Sequence, residues 1–271
     1  MSIRPSIAAL AAVVSFSCFA AEESTQLGDI VVTPTRSAVS VNDNLTPVIV
    51  ITRAEIEQAQ VGDIAELLRF HAGLDVARNG GPGQATSVFI RGSESNHTLV
   101  LIDGVRMNPG TIGGAAFQNL RPEMIERIEI VKGPRSSQWG SDAIGGVINI
   151  ITRRPSQGFT GNIEARGGRY DTAEGALALG YRQDRDEFGL TLQGFETNGF
   201  SPRSASNQAA GYENVSGSLY RAHRFENLLV AARHWRSEGN TEYLDPIFDM
   251  NFAIIVFNPV DQDYRNEVTS L

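Results

Sequence analysis

After Pro155 the sequence changes its period. Ile163, Ala165 and Gly167 alternate with Asn162, Glu164 and Arg166, and Gly175, Leu177, Leu179 and Tyr181 alternate with Glu174, Ala176, Ala178, Gly180 and Arg182. Phe188, Leu190 and Leu192 continue the pattern, followed by Val215, Gly217 and Leu219 and then Leu228, Val230 and Ala232. Alternate residues of a β-strand point to opposite faces, so segments of about ten residues with this period describe successive antiparallel strands. Two kinds of sheet fit: a soluble one with its apolar face on a core, and a barrel wall with its apolar face in lipid. Periodicity leaves both open. In the second, Tyr170, Tyr181, Phe188, Phe195, Tyr220 and Trp235, near segment ends, would form interfacial girdles. No stretch of 18 or more apolar residues occurs, which excludes a spanning helix and says nothing against a barrel.

Composition adds exclusions. The 41% hydrophobic content supports a packed core, and 23 basic against 31 acidic residues argue against broad nucleic-acid binding. The single cysteine, Cys18, rules out an internal disulfide and a four-cysteine zinc site. The N-terminus reads MSIRPSIAALAAVVSFSCFAAEES: a positive start at Arg4, an apolar run over Ile7–Phe19, and a small residue, Ala20, before acidic sequence. This is the layout of a secretory signal peptide over residues 1–20. Its removal would leave a cysteine-free chain.

Residues 21–46 form a polar tail with one extended island, Asp29-Ile-Val-Val-Thr-Pro-Thr-Arg36. Pro34 would interrupt a central strand, so the island suits an edge, either as a leader strand or as a segment added to a partner's sheet. Residues 47–155 read as a mixed α and β domain. Val48–Ile51 is a strand, Thr52-x-x-Glu55 a capping box and Asp63-x-x-Glu66 a second helix start, with Gly73 a natural stop. Strands are expected at Ser87–Arg91, Thr98–Ile102, Ile128–Val131 and Val147–Thr152, a tight turn at Asp103-Gly104, and a short helix near Pro122–Glu126. Residues 156–271 carry the alternating strands.

Catalytic patterns are missing from the sequence. His71, His97, His223 and His234 lack metal-binding spacing, no G-x-S-x-G elbow occurs, and the glycines at 80–83 lack the G-K-[ST] of a phosphate loop. The loops make a better binding case. Asn79, Gln84 and Asn108 carry amides that donate and accept, flanked by glycines that permit close approach, although turn stabilisation explains them equally well.

Several segments together resemble one family. Asp29–Arg36 resembles the energy-coupling box of a TonB-dependent outer-membrane receptor. NGGPGQATSVFIRG (79–92), HTLVLIDGVRMN (97–108) and RIEIVKGPRSSQWGSDAIGGVINIIT (127–152) resemble that family's plug domain, in the family's order. Within the family the likeness is to vitamin B12 (cobalamin) receptors. The resemblance implies an α+β plug domain followed by the first antiparallel strands of a transmembrane β-barrel of about 22 strands. It also implies an outer-membrane protein of a Gram-negative bacterium, monomeric when complete, that binds no nucleic acid and is not an enzyme. Cobalamin would be the transported ligand, with an iron–siderophore chelate as the alternative inside the family. A TonB-type protein with its inner-membrane motor complex would capture Asp29, Ile30, Val31, Val32, Thr33 and Pro34.

By the same resemblance, Asn79, Gln84, Thr86 and Ser87 form one substrate-facing region, and Asn108, Ile112 and Gly113 another. Arg91, Arg127 and Arg135 would couple plug to barrel. The family's cobalamin receptors have an acidic calcium-binding loop, whereas the comparable stretch here, residues 201–214, holds one acid, Glu213, and leaves calcium doubtful. A secreted binding module and a periplasmic enzyme remain rival classes. Only 116 residues follow Pro155, whereas a barrel of that size needs roughly 220 in strands alone, so the expectation is a chain whose barrel is cut short.

Overall fold

The computed structural model describes residues 30–31, 39–40, 48–109, 113–204, 206–248 and 254–271. The N-terminal part opens with a two-stranded ribbon, β1 (Ile30–Val31) against β2 (Val39–Ser40). β3 (Val48–Ile51) leads into α1 (Arg53–Ala59). Thr52 caps α1 reciprocally: its hydroxyl accepts from the Glu55 amide while the Glu55 carboxylate accepts from the Thr52 amide at 2.7 Å. Asp63 accepts from the Glu66 amide at 3.0 Å and so starts α2 (Ile64–Arg69), which buries Ile64, Ala65, Leu67 and Leu68. α2 ends at Arg69 with Phe70 as its cap; Gly73, at φ +78°, serves the turn into the next strand instead.

β4 (Leu74–Arg78) and β5 (Thr86–Ile90) then form an antiparallel hairpin. β6 (Thr98–Ile102) and β7 (Val105–Arg106) are joined by Asp103 and Gly104, both at positive φ (50° and 83°), as the turn between paired strands demands. β8 (Ile125–Lys132), α3 (Ser136–Trp139) and β9 (Gly146–Thr152) complete a five-stranded mixed sheet in the order β3-β8-β9-β6-β7. β6 and β9, which pair in parallel, are buried throughout. Such strands read as unbroken apolar runs because both faces are covered. One face packs Val100, Ile102, Ile148 and Ile150 into the main core with α1 and α2, and the other carries Leu99, Leu101 and Val147 beneath Ala143 and Trp139.

The helix expected near Pro122–Glu126 is a correction. A single 3-10 turn spans Pro122–Met124, and Ile125 already belongs to β8. Ile128 and Ile130 pair opposite Ile150 and Ile148 of β9, a ladder that outcompetes continuation of the helical turn.

Six strands follow as one antiparallel sheet in chain order: β10 (Gly158–Gly168), β11 (Thr172–Gln183), β12 (Asp186–Phe200), β13 (Ala210–Arg224), β14 (Leu229–Phe248) and β15 (Ile254–Ser270). They run from 11 to 20 residues, longer than the ten or so read from apolar alternation. The alternation undercounts because the outward face turns charged along β14 and β15, at Arg236, Glu238 and Arg265, while pairing continues. β15 lies in the stretch expected to hold barrel strands, but it lacks the outward apolar period of the earlier ones.

The faces of this sheet are inverted relative to a soluble one. Phe159, Ile163 and Val215 are 74%, 80% and 63% exposed on the outside, while Gln193, Asn214, Ser216 and Ser237 are buried on the inside. Apolar outward and polar inward is the pattern of a barrel wall. Tyr170, Tyr181 and Phe188 are exposed, as a girdle requires, but Tyr220 and Trp235 are buried, and Phe195 faces the N-terminal domain. Turns at 184–185 and 225–228 mark one end of the sheet, and the 169–171 turn and the longer connection between Phe200 and Ala210 mark the other.

Candidate functional site

The tip of the β4–β5 hairpin, residues 79–85, is closed by backbone bonds from Asn79 N to Ala85 O and from Gln84 N to Gly81 O. Its glycines are pressed against the strand sheet. A Cβ on Gly83 would lie 2.1 Å from Tyr212 Cδ2, one on Gly81 3.1 Å from Phe200 Cε1, and one on Gly80 2.8 Å from Pro202 Cβ. Close approach is therefore used by side chains of the sheet. Gln84 is buried and its Nε2 donates to the Glu242 carbonyl at 2.6 Å; Thr86 is buried and donates to the Gln84 carbonyl at 2.8 Å. Ser87 is half-buried and Asn79 exposed. Asn79 lines an open cleft of ≈ 510 Å³ with Arg78, Gly80, Phe200, Ser201, Pro202 and Arg203.

Asn108 is engaged within the N-terminal domain, in line with turn stabilisation. It is buried, its Oδ1 accepts from Val100 N at 2.7 Å, and its Nδ2 donates to the Thr98 and Gly113 carbonyls at 3.0 and 2.6 Å. The amide braces the edge of β6 and the 113 turn, where Gly113 has φ +71°. Ile112 lies outside the described residues.

The three arginines assigned to plug–barrel coupling lie in the N-terminal domain. Arg91 is exposed at φ +53° beyond β5, Arg127 pairs with the fully buried Glu129 at 2.8 Å, and Arg135 precedes α3. Among the described residues, ion pairs between the domain and the sheet run through Arg121 and Glu123. Arg121 and Glu174 meet at 2.7 Å with side chains only 3% and 8% exposed, and the Arg121 guanidinium stands 4.1 Å from the Phe195 ring centroid. Glu123 accepts from Arg166 at 2.7 Å, and Arg166 also reaches Glu174 and Glu164. Burial, and then the neighbouring Glu174 carboxylate, push the Glu123 carboxyl above its ordinary range. The available signal was the RPE triplet between Leu120 and Met124: charges set in an apolar stretch need buried partners.

Hydrogen bonds extend the junction. Tyr212 OH donates to the Gln118 carbonyl at 3.1 Å, Ser237 Oγ to the Asn119 carbonyl at 3.0 Å, and Asn119 Nδ2 to Asn266 Oδ1 at 2.9 Å. Of the segment resembling an energy-coupling box, Ile30 and Val31 pair with Ser40 and Val39 as one edge of a two-stranded ribbon. Asp29, Val32, Thr33 and Pro34 lie outside the described residues, as does the segment read as a signal peptide. Among the described residues no group of three or more His, Cys, Asp or Glu side chains is placed to hold a metal ion.

Comparison with known proteins fits this architecture. Residues 40–147 match the family model of the TonB-dependent Receptor Plug Domain. The pyoverdine outer-membrane receptor FpvA of Pseudomonas aeruginosa PAO1, bound to pyoverdine, superposes with TM-score 0.68 at 16% identity, covering 81% of this chain and 32% of the receptor. The copper transporter OprC gives TM-score 0.60 at 20% identity over 72% of this chain and 30% of its own. The siderophore receptor PiuA of Acinetobacter baumannii gives 0.58 at 22% identity over 76% and 28%. The chain thus spans about a third of the length of these structures. The fold is a plug domain followed by antiparallel strands like those that begin the barrel of TonB-dependent receptors.

Proposed function

We propose, from a plug domain docked on receptor-type barrel strands, that this chain serves TonB-dependent uptake of a large, scarce solute across a Gram-negative outer membrane. The observation that carries the reading is the wall itself: apolar side chains outward, polar side chains inward, and a buried ion pair, Arg121–Glu174, tying the plug to it. The lipid of the outer membrane covers the outward face. A TonB-type energy-coupling protein, driven by an inner-membrane motor, takes hold of residues 29–34 by strand pairing along the edge of β1 that β2 does not cover. No bond of the solute is made or broken.

The solute is met at the cleft beside Asn79. Cobalamin is the first reading, supported by the joint likeness of NGGPGQ, LVLIDGVR and GPRSSQWGSDAIGG to cobalamin receptors. A ferric siderophore is the second. It is favoured by one observation: Arg203 lines the cleft and no carboxylate does, while the cleft's other arginine, Arg78, is held by Asp63 at 2.5 Å. The test is uptake by cells carrying the intact gene product and lacking their own receptors, with radiolabelled cyanocobalamin and ferripyoverdine compared with and without the TonB-type protein. Uptake of one solute that depends on that protein is expected. Uptake of neither, or uptake indifferent to the coupling protein, overturns the reading.

A further inference from the structure

Three arginines meet where the chain passes from the N-terminal domain into the wall. Arg153, Arg154 and Pro155 lie between β9 and β10, beside a cavity of ≈ 240 Å³ lined by Arg53, Arg153, Arg154 and a single acid, Glu126. Its floor is the inner face of the first three wall strands. Two neighbouring rungs, Thr160–Gly180–Gly189 and Asn162–Ala178–Thr191, line it and carry nothing larger than an asparagine. Pro155 crosses the first rung closely: a Cβ on Gly180 would lie 3.1 Å from Pro155 Cα. The small floor leaves the room, and Ser156 and Thr191 bring hydroxyls to it.

The carboxylates around the cavity do not balance this charge. Glu57 is shared: its Oε1 accepts from Arg53 Nε at 2.7 Å and meets Arg153 Nη2 only at 3.4 Å. Asp103 lies 3.9 Å from Arg154 and already accepts from the Thr152 amide and hydroxyl. On the wall side, Glu187 is taken by Tyr220 OH at 3.0 Å and by Arg182 at 3.4 Å. Glu126 offsets one charge of the three. A fourth guanidinium adds to the excess: Arg154 and Arg233 stand 5.6 and 5.2 Å from the same ring, Tyr220, and Arg233 Nε is buried without a hydrogen-bond partner. Burial, and then a neighbouring cation (Arg53 for one, Arg233 for the other), push the Arg153 and Arg154 guanidiniums below their ordinary range. Buried positive charge of this kind calls for a counter-charge.

We infer that this cavity is a binding site for a small, doubly charged oxyanion of the phosphate type. Arg153 and Arg154 supply planar N–H forks that match its oxygens, and the Ser156 and Thr191 hydroxyls complete the donor set. Arg53 contributes field more than contact, because its Nη1 already donates to the Pro122 and Ile125 carbonyls at 2.7 and 2.9 Å. A corrin or a siderophore chelate is too large for ≈ 240 Å³, so this site is separate from the cleft at Asn79 and does not rest on the uptake reading.

Arginine-directed modification of the intact, detergent-solubilised gene product with p-hydroxyphenylglyoxal tests the site without a variant. Modification of Arg153 and Arg154, read by peptide mass spectrometry, should slow about tenfold once inorganic phosphate stands at about ten times its Kd. Exposed Arg169, at the β10–β11 turn, should react at its usual rate, and sodium chloride at matched ionic strength should protect neither region. Equal protection by chloride, or equal slowing at Arg169, overturns the inference. Arg153→Gln and Arg154→Gln give a second measurement. Each should bind phosphate roughly tenfold more weakly by calorimetry. Each should also melt no lower than wild type in phosphate-free buffer, because a crowded charge has been removed. A packing role for these arginines predicts the reverse, a lower melting temperature with phosphate affinity retained, and that result would sink the proposal.

Discussion

Tyr212 occupies the space that any side chain at Gly83 would need. Gly83 also sits at φ +75°, where an L-residue is strained. Gly83→Ala is therefore expected to destabilise the docked plug by about 1–3 kcal/mol. Limited proteolysis of the intact protein should cut the 79–85 tip faster than in wild type. Unchanged protection would mean that the ring moves aside freely.

Arg121 and Glu174 form a desolvated pair whose halves are costly to separate. Arg121→Met should destabilise by about 3–5 kcal/mol, because it leaves Glu174 buried with only the 3.5 Å contacts of Arg166 and Gln193. The double change Arg121→Met with Glu174→Leu should recover much of that loss. Thermal melts of the three variants check the coupling, and simple additivity would refute it.

Glu123 gives the junction a pH dependence of defined sign. Its carboxyl titrates above the ordinary 4.5, chiefly through burial and then through Glu174. An acid raised in the folded state binds its proton more tightly there than when unfolded. Its contribution to stability is thus fully present below pH 4.5 and is lost as pH rises through the elevated value. Glu123→Gln should flatten this part of the stability profile, measured by urea unfolding across that range. A profile identical to wild type would remove Glu123 as the cause.

Asn108 offers a test of brace against ligand group. Asn108→Ala removes one acceptor and two donor contacts within the plug and should cost about 2–3 kcal/mol. Solute affinity per folded molecule should stay near wild type. A large affinity loss with unchanged melting temperature would restore Asn108 to the solute site.

Val31→Pro removes a backbone donor from the energy-coupling box. Energised uptake should fall to the level of cells without the coupling protein, while solute binding to whole cells persists. Parallel loss of both would show that the box also shapes the binding face.

The parts of this fold legible in the sequence were those set locally. Thr52 and Asp63 announced their helices because a cap depends on neighbours three residues away, and Asp103-Gly104 announced its turn because few residues tolerate its backbone angles. The β6 and β9 runs were visible as apolar stretches. The Arg121–Glu174 junction was not, since Arg121 acquires meaning only opposite Glu174, 53 positions later. Asn79 and Asn108 look alike as amides beside glycines, yet one is exposed at a cleft and the other consumed by three backbone groups. β15 was hidden for a related reason: its pairing with β14 is regular, but its outward face is charged.

Residues 118–123 meet each of the six strands through a different partner, and this also works as a check on assembly. Threading the sheet with one strand omitted, or one slipped by two residues, would set Arg121 against something other than Glu174 and leave Asn119 facing a carbon surface. Errors in strand order would then be felt as buried charge and unmet hydrogen bonds at one line of the molecule. A correctly ordered wall and a seated plug certify each other, so misassembled copies should expose residues 118–123 to the quality-control proteases of the compartment.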